Sequence, residues 1–442
     1  MSTRSPRNVI LLGAAGRDFH DFLVYWKPRR DCRVVAFTAA QIPGIDERRF
    51  PAKLAGRRYP DGIPIRPEAE LPELVARHEV DTVCLAYSDL SHQEVMEKAA
   101  LALHAGARFL LLGPRQTQLV AERPVVAVTA VRTGCGKSQT ARAIAEILRQ
   151  HGRRPVAIRH AMPYGRDLTR QTCQRFARAS DFSKHEATIE EQEEYQPWLD
   201  AGFPIYSGFD YRAILRRASK EGDVLVFDGG NNDLSMIRPD LQITVLDALR
   251  PGHETTWHPG YVNLLEADVA LVNKIDAAQR ADVEAIVRTV RKHNPDAAIV
   301  RARSEILVRE PGRLRGKRCL VVGDGPTLTH GGMAIGAGTL AVRRAGGRIV
   351  DPRPHLVGQL AKTFVRFAHL DREVPAMGYD SAQVRDLERN LRRIPCDVVV
   401  DGTPADLASL VDADKPIVRV DYALGPSARR QLARLLAEHG LA

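Results

Sequence analysis

Short apolar runs separated by stretches of helical spacing recur along almost the whole chain. They lie at 9–12, 34–37, 82–85 and 109–112, then, past a Pro-containing break at 121–124, at 125–128, 156–158, 224–227, 243–245, 269–272 and 298–300. Four more follow at 319–322, 348–350, 398–400 and 417–420. Runs that are apolar throughout, rather than alternating, belong to parallel strands covered by helices on both faces. The pattern predicts an α/β fold of mostly parallel sheets flanked by helices. Boundaries near 122 and 314 give units at 1–122, 123–314 and 315–442. The last unit either extends the central sheet or folds separately.

Composition narrows the class. A chain of 442 residues is long for one core and suits two or three domains. The net charge is +10, but Arg and Lys are spread evenly and aromatics make up only 6%. That favours phosphate-rich small molecules over nucleic acid as partners. Cys32, Cys84, Cys135, Cys173, Cys319 and Cys396 are scattered without a C-x-x-C pair, which fits a reducing cytoplasm and argues against structural zinc. No run approaches the roughly 20 apolar residues of a membrane span. Met1-Ser2-Thr3-Arg4 leads toward the first run without a signal-peptide core. The expectation is a cytoplasmic protein with no membrane partner.

The most informative stretch is Val131-Arg132-Thr133-Gly134-Cys135-Gly136-Lys137-Ser138. An apolar run precedes it, and a helical pattern through Ala141, Ile144, Ile147 and Leu148 follows, stopping at Gly152. Strand, glycine-rich turn, Gly-Lys-Ser and helix make a phosphate-binding loop: backbone N–H groups at a helix start point at anionic oxygens. Residues Thr133, Gly134, Cys135, Gly136, Lys137, Ser138 and Gln139 are the nucleotide-binding candidates. Lys137 would reach the β- and γ-phosphates and Ser138 would hold Mg²⁺. The usual first glycine of such loops is replaced by Val131, and a basic residue, Arg132, stands early. This resembles the deviant loop of the nitrogenase iron protein and dethiobiotin synthetase class, in which an early basic residue acts near the nucleotide, sometimes across a dimer. The central unit is therefore expected to be a P-loop NTPase core.

Val224-Leu225-Val226-Phe227-Asp228 ends an apolar strand in a carboxylate. An acid there meets Mg²⁺, usually through water, so Ser138 and Asp228 are the metal candidates, with Asp233 as a second acid nearby. Asn273-Lys274-Ile275-Asp276 follows another strand. In P-loop GTPases N-K-x-D reads guanine, and Asn, Lys and Asp are candidates for base contact here. The D-x-x-G element of GTPases is missing, since Asn231 stands three positions after Asp228. ATP and GTP both stay open.

Strand ends on the loop side of a parallel sheet share one crevice. Arg159, His160 and Arg166 follow one such strand; Arg250, His253 and Glu254 follow another. Arg offers a rigid fork suited to phosphate, so these groups are expected to converge on a second polyanion. Lys137, Asp228, Arg132, His160, His253 and Glu254 are the catalytic candidates. The Gly- and Pro-rich stretch from Gly323 through His330 to Gly332, and Arg353 in Asp351-Pro352-Arg353-Pro354, add anion-binding candidates. The acidic stretch Glu190-Glu191-Gln192-Glu193-Glu194 is read as a solvated face. Residues 8–120, with Gly13-Ala14-Ala15-Gly16 after the first run, resemble a Rossmann-like domain; Ser88-Asp89-Leu90-Ser91-His92 sits at a later strand end.

Together these residues resemble the cyclic 2,3-diphosphoglycerate synthetase family. The resemblance rests on 130–139, on Ile158-Arg159-His160 with Met162-Pro163-Tyr164-Gly165, and on Leu249-Arg250-Pro251-Gly252-His253-Glu254. It continues through 324–332, Asp351-Pro352-Arg353-Pro354 and Pro375-Ala376-Met377-Gly378-Tyr379. It implies a cytoplasmic, dimeric, Mg²⁺-dependent ligase that uses ATP to close 2,3-diphosphoglycerate into an internal phosphoanhydride. Arg159, His160, Arg166, Arg250, His253, His330 and Arg353 would then bind the substrate, whose two phosphates and carboxylate demand a strongly basic site. A regulatory or metal-delivery GTPase of the same loop class is the alternative that Asn273-Lys274-Ile275-Asp276 favours.

Overall fold

A computed structural model describes residues 6–39, 48–160, 162–163, 167–329, 332–376, 381–404 and 407–442. Every apolar run named above falls on a strand. The fold is α/β, with mostly parallel sheets between helices: a central sheet whose middle strand leads through the glycine-rich loop into a helix, preceded by a Rossmann-like domain. The N-terminal sheet runs Arg49–Phe50, Ile63–Pro67, Cys32–Ala39, Arg7–Leu12, Val80–Leu85, Arg108–Leu111, parallel except for its first pair.

The central sheet runs Gln174–Phe176, Ile205–Ser207, Pro155–Arg159, Val224–Asp228, Val125–Ala130, Leu241–Asp247, Val269–Asn273, Ala298–Arg301. Only its first strand is antiparallel. Val125–Ala130 lies at its middle and is buried at every position. A strand covered on both faces has no polar side to alternate, which is why the sequence shows Val and Ala without a period of two. The edge strand Gln174–Phe176 and its neighbour Ile205–Ser207 have three residues each. They are too short and too mixed in polarity to form a run, and the sequence pattern passes over them.

The third sheet is separate: Ser304–Val308, Ile417–Leu424, Val398–Gly402, Arg318–Gly323 and Arg348–Ile349, with Val374–Pro375 beside the end of Arg318–Gly323. It does not extend the central sheet. Ser304–Val308, grouped above with the central unit, is its first strand. The chain then returns. In the final helix Pro426–Glu438, Leu432 and Leu436 join the core of Ile144, Ile147 and Leu148, and Arg429 Nη2 donates to Glu146 Oε2 at 2.7 Å.

The N-terminal domain meets the core at several places, among them the packing of Phe209 on Phe19 and Phe50 and a joint beside the phosphate-binding loop. Trp257–His258 pairs antiparallel with Leu90–Ser91. The buried Asn232 side chain accepts the Asp89 N–H at 2.8 Å and donates to Val131 O at 3.0 Å and His258 O at 3.3 Å. One amide thus links the loop after Val224–Asp228, the phosphate-binding loop and the first domain.

Candidate active site

The helix Lys137–Gln150 starts at Gly136, whose φ of 103° turns the strand sharply into the helix. A Cβ at Gly136 would strike the Asn273 and Gln139 side chains, so glycine is needed both for the turn and for the space. Three consecutive loop carbonyls are each held from behind by a side chain. Arg250 Nη2 donates to Thr133 O at 2.7 Å, Lys274 Nζ to Gly134 O at 2.7 Å and Asn273 Nδ2 to Cys135 O at 2.9 Å. Asp247 accepts from Arg250 Nε at 3.0 Å and Lys274 Nζ at 2.7 Å and fixes both braces. Holding these carbonyls pre-orders the loop around the helix N-terminus, where an anion binds.

Lys137 is buried, and its ammonium donates to the Asn231 carbonyl. Burial lowers it below the ordinary lysine range. Ser138 Oγ donates to Asp228 Oδ1 at 3.3 Å. Asp228, at the end of its strand and fully buried, also faces Arg159 Nη1 at 3.0 Å and accepts from Trp198 Nε1 at 3.3 Å. Arg159 Nε reaches Glu194 Oε2 at 2.5 Å. The hydroxyl and carboxylate sit side by side next to Lys137. That is a fitting donor pair for Mg²⁺, a hard cation that takes oxygen and keeps several waters.

The N-K-x-D segment has other partners than a base. Asn273 and Lys274 are loop braces. Asp276 Oδ1 accepts the Ser304 N–H at 2.9 Å and Oδ2 accepts from Arg344 Nη2 at 3.3 Å, so both oxygens are engaged with the third sheet and its helix. A carboxylate so occupied is poorly placed to read N1–H and an exocyclic amine. Asp276→Asn is expected to leave the ratio of ATP to GTP dissociation constants within about twofold, where a guanine reader would shift it by orders of magnitude. Calorimetric titration with both nucleotides decides.

Other candidates are placed as follows. Arg132 is buried, with Nη1 2.5 Å from Asp89 Oδ1 and its guanidinium 3.3 Å from the centre of the Trp257 ring. It anchors the joint with the first domain. Arg250 faces the back of the loop. His253 stacks on Trp257, and burial, with Arg250 and Arg132 nearby, lowers it to about 4. Glu254 is buried and accepts the Gly252 N–H at 2.8 Å, closing its own turn. His160 packs against Gly230, lies 3.4 Å from Asp233 Oδ2 and is lowered by burial. Arg353 stands half-exposed away from the loop, paired with Asp351 at 2.6 Å. Arg166 and His330, with Tyr164, Gly165, Met377, Gly378 and Tyr379 of the family strings, lie outside the described residues.

The loop opens into a cleft of about 590 Å³ between the central and third sheets. Its lining includes Lys137, Ser138, Arg159, Glu194, Asp324 and Thr327. The acidic stretch is therefore not a solvated face. Glu191 is buried and caps its helix at Thr188, and Glu194 holds Arg159. Sequence reasoning missed Glu194 and Trp198 because a helix far along the chain carries them to Asp228. It read the stretch holding Asp324 as anion-binding, whereas Asp324 follows the strand Arg318–Gly323, is raised by burial and accepts from Thr327 Oγ1. Thr327 touches the loop: a Cβ on Gly134 would lie 3.1 Å from its methyl. The signal available was positional, an acid directly after an apolar strand, as at Asp228.

No family model matches the chain. Over 439 residues it is 49% identical to the arginine synthetase ArcE of Thermococcus kodakarensis, covering 99% of this chain and 98% of that one. Among solved structures, LpxK from Aquifex aeolicus in complex with ATP aligns over 84% of this chain and 99% of its own, at 11% identity and a TM-score of 0.41. Cobyrinic acid a,c-diamide synthase from Mycobacterium smegmatis, with ADP and magnesium, aligns over 39% of this chain and 83% of its own, at 14% identity and a TM-score of 0.26. Alignments that loose transfer no property to this chain. No helix among the described residues is long and apolar enough to cross a membrane.

Proposed function

The chain belongs to the arginine synthetase ArcE family, and from that premise we propose that it is an ATP-dependent synthetase that forms arginine in the cleft over the phosphate-binding loop. A synthetase couples bond formation to nucleotide cleavage. Arginine differs from its ureido counterpart, citrulline, by one nitrogen in place of one oxygen. That oxygen leaves only if it is first activated. In the proposed route the ureido oxygen attacks the γ-phosphorus, forming an O–P bond as the bond to the ADP oxygen breaks. Ammonia then attacks the ureido carbon, and orthophosphate departs with the oxygen. Catalysis of this kind is positioning and charge neutralisation.

The residues divide the work. The braced loop and Lys137 hold the β- and γ-phosphates, and Ser138 with Asp228 would hold Mg²⁺, which supplies charge neutralisation when bound. Asp324, in the cleft lining beside Thr327, offers a carboxylate to the forming guanidinium.

The observation that carries the choice of substrate is the pairing of the arginines. Arg132 with Asp89, Arg159 with Asp228 and Glu194, Arg250 with Asp247 and Arg353 with Asp351 are each compensated by carboxylate. A substrate with two phosphates and a carboxylate needs uncompensated positive charge, which these four do not supply. An amino acid with a neutral ureido end does not need it. The resemblance to cyclic 2,3-diphosphoglycerate synthetases supports the second reading, closure of that diphosphate.

Incubation with Mg²⁺-ATP, citrulline and ammonium chloride, followed by amino-acid analysis and phosphorus NMR, is expected to give arginine, ADP and orthophosphate in equal amounts. A parallel mixture with 2,3-diphosphoglycerate should give no cyclic pyrophosphate signal. The reverse pattern overturns the arginine reading in favour of cyclisation.

A further inference from the structure

Where the first domain meets the loop after Val224–Asp228, a second group of charged side chains is sealed from solvent. In the helix Gly16–Asp21, Arg17, His20 and Asp21 share one face. Arg17, Asp18, His20, Asp21 and, from the core, Asp233 are all at most 4% exposed. Arg17 Nε lies 3.7 Å from Asp21 Oδ2 and Nη1 lies 3.7 Å from Asp233 Oδ1, both beyond hydrogen-bonding distance. Arg17 Nη2 donates instead to Leu112 O at 3.3 Å.

Acceptors outnumber donors here. Asp18 Oδ1, both Asp21 oxygens, Asp233 Oδ1 and His20 Nδ1 are buried with no hydrogen-bond partner among the described residues. His20 Nε2 is 2.8 Å from the Thr117 carbonyl, which only accepts. Nε2 therefore carries the proton, and Nδ1 is an acceptor. Against them stand Arg17 Nη1 and Trp26 Nε1, with His160 Nδ1 3.4 Å from Asp233 Oδ2. The charges are as uneven: Asp18, Asp21 and Asp233 feel one another and share the Arg17 guanidinium. Burial lowers His20 to about 4 and His258 to about 3, so neither adds positive charge near neutrality. Burial likewise pushes Asp18 and Asp21 up to about 7. Ionised, these buried carboxylates are costly unless a cationic donor meets them; otherwise they take up protons near neutrality.

We propose that this buried cluster is an ammonium-binding site formed by Asp18, His20, Asp21 and Asp233 beside Arg17. Ammonium brings one positive charge and four N–H donors in a volume no larger than a water. A hard metal cation prefers oxygen throughout, whereas this set includes the His20 nitrogen. The location fits a nitrogen supply. Residues 229–233 connect the cluster to the loop site: Asn231 O holds Lys137 at one end, and Asp233 faces Arg17 at the other. His160 packs on Gly230 within that segment. The use of the bound nitrogen in synthesis rests on the arginine-forming reading; the binding itself does not.

Two measurements on the full chain test it. Thermal unfolding in ammonium, sodium and potassium chloride at equal ionic strength should give the highest midpoint in ammonium, and Asp21→Asn should remove that advantage. Equal midpoints in ammonium and potassium for the wild-type protein overturn the proposal, whether or not the variant folds. In arginine synthesis, Asp21→Asn should raise the KM for ammonium by about tenfold or more while the KM for ATP stays within about twofold. An unchanged ammonium KM overturns the site as the nitrogen donor's. If the wild-type protein makes no arginine at all, the function reading fails, and the salt comparison still decides the binding.

Discussion

Lys137→Ala is expected to lower turnover by about 10³-fold or more while the protein remains folded. In the proposed reaction the lysine is the cation that the loop brings to the transferring phosphoryl group, and its ammonium is buried where its field is poorly screened. Its only hydrogen bond recorded among the described residues is to the Asn231 carbonyl. Truncation leaves that carbonyl short of a donor, at a cost of about 1–3 kcal/mol, which is small beside the catalytic loss. Single-turnover release of ADP, with the unfolding midpoint as control, measures both. A variant that unfolds normally and turns over near the wild-type rate would mean that the loop does not bind the reacting phosphates.

Asp228→Asn should lower turnover by about 10²–10³-fold and raise the Mg²⁺ concentration needed for half the maximal rate. The carboxylate is fully buried and meets Ser138 Oγ, Arg159 Nη1 and Trp198 Nε1. An amide in its place must point an NH₂ at one of these donors. It also removes one of the two charges opposite Arg159, leaving Glu194. Breaking a buried pair typically costs about 3 kcal/mol or more, so the unfolding midpoint should fall as well. Magnesium dependence separates the two roles: a structural carboxylate would lower the midpoint without moving the Mg²⁺ titration.

What the sequence carried by itself was whatever is local. A phosphate-binding loop is a contiguous strand, turn and helix, and Gly134, Gly136, Lys137 and Ser138 are legible because spacing alone brings them together. Asp228 is legible for the same reason, as an acid directly after an apolar strand. The sheets follow from runs apolar on both faces, and these runs pass over strands of mixed polarity such as Ile63–Pro67, Gln174–Phe176 and Ser304–Val308.

Partnership was not legible, because the groups that neutralise a charge come from distant segments. Arg250, Lys274 and Asn273 have the residue types of ligand binders, and the fold turns them to the back of the loop, where they hold its carbonyls. Glu194 arrives on a helix whose run of acids reads as a solvated face, and there it meets Arg159. A net charge of +10 is a property of composition. Whether a given arginine has charge to spare for a ligand depends on the carboxylates within a few ångströms, and only the tertiary structure sets those distances.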